Sequence, residues 1–246
     1  MEAINWAADL QKMGLLRGDQ VVVHSSLRQL GNSHQKAWRL FEALTKVLGP
    51  EGMLLVPTLS YTYVTPASPV FDRRHTPSSV GGFSNFCLQI KEGVRSLHPT
   101  HSIWMYGPDA QSWASEHAKD STPVGSHSPL SRLKETGGKI LMLGCGLRPN
   151  TSMHGVEELH EPPYLFGEKC QFSLVDKERQ WKSRYRLHDF KGYIQRYDRM
   201  KEHLPPESYV EGRVGQAQAY LLDVRAVWEA GLKLLRQDPF ALVERK

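Results

Sequence analysis

Cysteine is scarce: Cys87, Cys145 and Cys170 are the three in 246 residues, and no two form a CxxC pair. That excludes a disulfide framework and zinc ribbons or fingers, and a reducing cytoplasm is the simplest compartment. No apolar run approaches the ~18 residues of a membrane span. The first residues, MEAINW, have no basic stretch leading into an apolar one, so neither membrane association nor a secretory signal is expected. Internal repeats and low-complexity tracts are also missing. No charge of one sign dominates, because 31 Lys and Arg stand against 26 Asp and Glu, a formal excess of +5. The cations are dispersed, and the densest run, Lys177–Arg186 (KERQWKSRYR), sets Trp181 and Tyr185 among them. Such a run suits either stacking on a nucleotide or an exposed strand face, and the strand face is the preferred reading. A non-catalytic nucleotide- or nucleic-acid-binding protein is kept as an alternative, with no nucleic-acid partner expected. A chain of this length buries a full core without staples and is expected to form one domain over 1–246.

What is present is alternation. Gln20–His24 (QVVVH), Met53–Val56, Ile103–Tyr106, Lys139–Leu143 (KILML), Gln171–Val175 and Arg213–Leu222 read as strands. Apolar spacing predicts helices over 3–14 (Ile4, Ala7, Ala8, Leu10) and 36–48 (Leu40, Phe41, Leu44, Val47, Leu48). Further helices are expected over 80–92, 109–119 and 151–160, the last with Asn150 or Thr151 as N-cap. Another runs on from Asp223, with Val224, Val227, Trp228 and Leu232 on one side. Between Ser60 and Ser79, Pro66, Pro69 and Pro77 interrupt any period, which predicts a long loop over a site. This pattern calls for an α/β sandwich, partly parallel, with a more antiparallel C-terminal end.

Several familiar motifs fail on inspection. Lys139–Leu143 runs into Gly144-x-Gly146 like a dinucleotide fingerprint, but Pro149 stands at the third glycine position. Gly137-Gly138-Lys139 is followed by Ile140, which excludes a P-loop. Gly82-Phe83-Ser84-Asn85-Phe86 lacks the closing glycine of a hydrolase elbow. Among the eleven histidines, His98 and His101 enclose a proline. His154 and His160 lie six apart, about 240° around a helix. A metal-assisted hydrolase using His98, His101 and His154 is therefore a minor alternative, and no metal is expected.

One constellation survives: Asn150-Thr-Ser-Met-His154-Gly-Val-Glu157. Residues three apart share a helix face, so Glu157 reaches His154, and Thr151 stands three residues before it. A carboxylate beside an imidazole raises its basicity and fixes its tautomer, as a general base requires. The same residues also suit an ordinary capped helix with a surface histidine.

Ordered blocks along nearly the whole chain extend this signal. They are Val21–Leu27 with Leu30-Gly31, Leu54–Thr58, Phe71-Asp72 with Thr76–Ser78 and Gly81, and Arg95–Ser102 with Gly107. Thr122–Gly125, Ser128–Leu130, Lys139–Gly144, Asn150–Glu157 and Gly212–Gly215 complete the series. With these blocks the sequence resembles the aminoglycoside 3-N-acetyltransferase, or antibiotic N-acetyltransferase, family. The resemblance implies a three-layer α/β/α fold around a mixed sheet, distinct from the GCN5-like fold. It implies acetyl-CoA as acyl donor, no metal, a small-molecule amine as acceptor and direct transfer. By motif position His154 would be the general base, oriented by Glu157, and Thr151 would donate to the oxyanion or departing thiolate. Ser25, Ser26, Leu27, His98, Thr100, Ser102 and Ser128 would line the CoA channel. Cys145 is expected to be structural, and a homodimer is compatible with the family.

Three departures point the acceptor toward an amino sugar or other polar amine, with aminoglycoside 3-N-acetylation kept as a less favoured outcome. Asn85 stands where relatives often carry Glu, Ile103–Tyr106 is bulky where many are small, and the chain is basic rather than acidic. Glu211 and Tyr164 are candidates to reach the acceptor from the second half.

Overall fold

The computed structural model describes residues 5–31 and 35–246. In chain order the elements of the first half are α1 (Trp6–Lys12), β1 (Gln20–Ser25), α2 (Lys36–Leu48), β2 (Met53–Pro57), β3 (Val70–Asp72) and α3 (Gly82–Cys87). Next come β4 (Val94–Arg95), β5 (Ile103–Tyr106), α4 (Ala110–Glu116), α5 (Pro129–Thr136), β6 (Lys139–Leu143) and α6 (Met153–His160). The chain closes with β7 (Phe166–Asp176), β8 (Arg179–His188), β9 (Tyr193–Gln195), β10 (Tyr209–Val214), β11 (Ala217–Asp223), α7 (Val224–Gln237) and β12 (Val243–Arg245).

Seven strands form the main sheet in the order β10-β11-β6-β1-β2-β5-β4. β1 runs parallel to β2 and β6, and the outer pairings are antiparallel. Successive side chains leave opposite faces of a strand, so an unbroken apolar run must be covered on both sides. Val21, Val23, Leu141 and Leu143 join the core under α1 and α2, with Leu10, Leu40 and Leu44. Val22, Ile140 and Met142 face the other way, into a core with Trp113, Leu133, Val156 and Trp228. The expected three layers are present, and the bulk of Ile103–Tyr106 is core packing in β5. A second, three-stranded sheet joins β3 to the β7–β8 hairpin, and β9 pairs with β12. Among the described residues no helix is long and apolar enough to cross a membrane.

Several boundaries differ from expectation. Arg213–Leu222 is not one strand: the chain reverses at Gly215-Gln216, with Gly215 at φ 57°, and β10 pairs antiparallel with β11. The helix expected over 80–92 shortens to α3, and the 60–79 loop contains β3. α5 is a helix that the apolar spacing did not mark, with Ser128 as N-cap and Pro129 in its first turn, where a missing N–H costs nothing. The helix expected over 3–14 is α1, and Ile4, counted on its apolar face, lies outside the described residues. Lys177, at φ 56°, turns the β7–β8 hairpin, so the basic run is its turn and outer strand.

One contact ties this frame to α6. The Trp228 indole of α7 donates to Ser152 Oγ at 2.7 Å, and its ring lies over Gly155. A Cβ on Gly155 would stand 2.2 Å from that ring, too close for any side chain. Gly155→Ala should therefore lose at least ~1 kcal/mol net, because overpacking outweighs alanine's better helix propensity. Urea unfolding would show it as a lower midpoint at unchanged slope.

Candidate active site

β1, β2 and β6 are parallel, so their carboxyl ends open on one side of the sheet, the usual place for a ligand in such folds. A cavity of about 860 Å³ lies there, lined by His24 and Ser25 of β1, Leu59 and Tyr61 of the following loop, and Cys145 beyond β6. The loop expected to cover a site does so. Histidines from three further places reach the same space: His101 before β5, His154 on α6 and His188 at the end of β8.

Behind His154 lies Glu157, whose side chain has no solvent exposure. A carboxylate in that position needs donors, and three groups supply them. Tyr164 Oη donates to Oε1 at 3.0 Å, and Tyr197 Oη donates to Oε2 at 2.6 Å. His154 Nδ1 lies 3.3 Å from Oε2 and 3.0 Å from the Tyr197 hydroxyl. Tyr197 gives its proton to Glu157, so His154 carries hydrogen on Nδ1 and keeps the lone pair of Nε2.

Thr151 is turned toward β1. His24 Nε2 accepts the Thr151 backbone N–H at 3.0 Å and lies 2.6 Å from Oγ1. A nitrogen that accepts an N–H has no proton to give, so the hydroxyl hydrogen also points at His24. Thr151 was expected to donate to an oxyanion or thiolate; its hydroxyl lies against His24 in this geometry, with the oxygen at the cavity wall. Asn150 closes the turn into α6, where its Oδ1 accepts from Ser152 N–H at 3.1 Å.

His188 Nε2 lies 2.8 Å from Glu158 Oε1, which also accepts Val124 N–H at 2.7 Å. We assign the His188 proton to Nε2, which leaves Nδ1 buried without a partner among the described residues. Phe190 caps this cluster from a left-handed backbone (φ 55°), its ring centre 5.7 Å from that of His154. Strain of this kind, ~1–3 kcal/mol per residue, is retained where its surroundings enforce it. Cys145 lines the cavity, but burial pushes its thiol up to about 11, so it stays protonated at neutral pH.

The sequence model described as aminoglycoside 3-N-acetyltransferase matches residues 22–236. Aminoglycoside N(3)-acetyltransferase IV of Salmonella sp is 30% identical over 236 residues, covering 94% of this chain and 85% of that protein. The chain belongs to the aminoglycoside 3-N-acetyltransferase family. It is an acetyl-CoA-dependent N-acyltransferase by that membership, which leaves the nucleic-acid-binding and metal-hydrolase alternatives without support. Solved structures of this family share the fold. The AAC-IIIb binary complex with CoASH superposes with TM-score 0.83 at 25% identity, over 94% of this chain and 95% of that one. A histidine-to-alanine mutant of AAC(3)-IVa in complex with a gentamicin gives 0.80 at 27%, over 98% and 92%.

Of the residues expected to serve this acyltransferase, His154, Thr151 and Ser25 line the cavity together, with Glu157 directly behind. Ser26 and Leu27 follow Ser25 outside the lining. His98, Thr100, Ser102 and Ser128 are fully or almost fully buried, and the structure does not bring them to the cavity. Ser102 Oγ donates to Thr58 O, Ser128 Oγ accepts from Leu130 N–H, and His98 Nδ1 accepts from the N–H groups of Thr100 and His101. Glu211 lies on the surface with Lys201 and Gln218. Tyr164 is a donor to Glu157, and Asn85 pins the loop through Ser78. Sequence reasoning missed His24, His188 and Tyr197. The signal for His24 was available, since it ends a buried valine run at the start of the first matching block.

Burial pushes His24 down to about 3 and His117 to about 4, and holds His98, His101 and His188 well below 6.5. In the unfolded chain these groups protonate near 6.5. The native state therefore keeps full stability above 6.5 and loses it as pH falls toward the folded values. Glu158, pushed up to about 7 chiefly by burial, acts oppositely: its contribution declines as pH rises from 4.5 to 7. The histidines outnumber it. Urea midpoints taken from about pH 7.5 down to about pH 5 should drop steadily, by ~1.4 kcal/mol per pH unit for each net proton taken up on unfolding. A flat profile would contradict this assignment.

Proposed function

We propose that this chain transfers the acetyl group of acetyl-CoA directly to an amino group of an aminoglycoside or closely related amino sugar, with His154 as general base. The observation that carries the reading is the His154–Glu157 pair on the cavity wall, with Nδ1 held from behind and Nε2 open. The acceptor class rests on the relatives: one is named aminoglycoside N(3)-acetyltransferase IV, and one was crystallised with a gentamicin. The basic chain weighed against such an acceptor, but a formal charge of +5 describes the surface as a whole, not the cavity. Arg148, the cationic side chain of the lining, suits the phosphates of the donor.

The amine nitrogen attacks the thioester carbonyl, and His154 Nε2 takes a proton from that nitrogen. Glu157 stabilises the resulting imidazolium through Nδ1–H. Collapse of the tetrahedral intermediate breaks the C–S bond, and Nε2–H returns the proton to the departing sulfur. Thr151 Oγ1, its own hydrogen held by His24, accepts an N–H of the incoming amine and orients it. Ser25 borders the donor. Cys145, protonated and tucked against His24 O, takes no covalent part.

Acetylation of gentamicin, sisomicin and glucosamine, followed by thiol release and product mass, tests the reading. His154→Ala should lower turnover by ~10²–10⁴ with CoA affinity retained. Full turnover by that variant would remove the assigned role, and absence of any acetylated amine would remove the function. Thr151→Val should raise KM for the amine by about tenfold, whereas Thr151→Ser should stay near wild type. Equal loss in both would tie Thr151 to helix packing instead.

A further inference from the structure

Acyl transfer needs one imidazole, yet three meet at the base. The ring centres of His101, His154 and His188 lie 5.4, 5.2 and 4.9 Å apart in pairs. One ring nitrogen from each lies within 4.8 Å of the others. Every ring is held by its second nitrogen: His101 Nδ1 by Thr100 Oγ1 at 2.9 Å, His154 Nδ1 by Glu157 and Tyr197, and His188 Nε2 by Glu158. The nitrogens left over are Nε2 of His101, Nε2 of His154 and Nδ1 of His188. That of His188 has no partner among the described residues, and its side chain is 2% exposed.

We propose that these three nitrogens form a binding site for a divalent transition-metal cation of the zinc class, and that occupancy inhibits acyl transfer by engaging the lone pair of His154. Inhibition rests on the general-base role proposed above, whereas binding does not. Three neutral imidazoles leaving a fourth position open are a known ligand set for zinc. Zinc–nitrogen bonds of ~2.0–2.1 Å need the nitrogens to close to ~3.4 Å of one another, which modest ring rotations supply. An oxygen behind each imidazole orients the ring, as in established metal sites; the carboxylates behind His154 and His188 also favour the proton on the nitrogen that faces them, and the Thr100 hydroxyl can donate to or accept from His101 Nδ1. Magnesium and calcium, which require oxygen ligands, are excluded by the same set. The open fourth position faces the cavity, where the thiol of CoA would complete the shell and lengthen inhibition after turnover.

The experiment uses the full chain, stripped with EDTA and returned to metal-free buffer. Equilibrium dialysis should give one Zn²⁺ per chain and no Mg²⁺, and Co²⁺ should develop the intense visible absorption of a tetrahedral nitrogen site. Glu158→Gln should weaken Zn²⁺ binding ~10–100-fold, and His188→Ala by at least about tenfold. Acetylated product, measured by mass because zinc also binds free thiols, should fall at least about tenfold at one equivalent and return with EDTA. No stoichiometric Zn²⁺, or binding unchanged in His188→Ala, would overturn the site. Binding without loss of acetylation would overturn the inhibition. A metal-free enzyme that acetylates nothing while still binding Zn²⁺ here would instead overturn the proposed acyl transfer. Should His188→Ala not fold, histidine ring resonances of the wild-type chain during Zn²⁺ titration decide: shifts confined to other histidines refute the site.

Discussion

A carboxylate sealed from water is the constraint around which the site is organised. Burying Glu157 without donors would cost several kcal/mol, so its neighbours are not interchangeable. Tyr164, Tyr197 and His154 each hold a proton toward it. Satisfying the charge also sets the orientation of the imidazole, because the nitrogen that faces Glu157 cannot face the cavity. Chain segments that make no contact with substrate thereby decide which lone pair does. The two tyrosines come from beyond α6, so the irregular second half of the chain completes what the parallel strands begin.

Much of the frame was legible because its signals are local. The valine run of β1, the KILML run of β6 and the apolar stripes of α2 and α7 declare themselves within a few residues. Asp223 caps α7 where expected, its side chain accepting from Ala226 N–H. The β10–β11 hairpin was not legible, because only Gly215-Gln216 interrupts a stretch that otherwise keeps its apolar residues. α5 went unmarked because Pro129 interrupts its apolar period, although a first-turn proline after serine marks a helix start.

The site divides the same way. His154, Glu157 and Thr151 share one helical turn and its approach, and spacing alone brings them together. His24 meets Thr151 across 127 residues, and Tyr197 meets His154 across 43. No period in a sequence encodes such distances. The resemblance to a family pointed to the cavity, but His98, Thr100, Ser102 and Ser128 show that a shared block can hold buried residues as well as ones that reach the cavity. Net charge misled for a related reason, since it sums groups that no ligand in the cavity meets.

The seating of Gly155 under Trp228 has a consequence for how the protein is made. Trp228 lies 76 residues after Ser152, the residue its indole holds. During synthesis, at ~5–20 residues per second, α6 therefore emerges well before the surface that receives it. Until α7 follows, Val156 and Met153 have lost one side of their cover, and the helix bearing His154 has no fixed seat. A nascent chain with every strand of the parallel core already translated is thus still inactive and still adhesive. The cover of α6 and the seat of His154 are completed together, when α7 docks its indole.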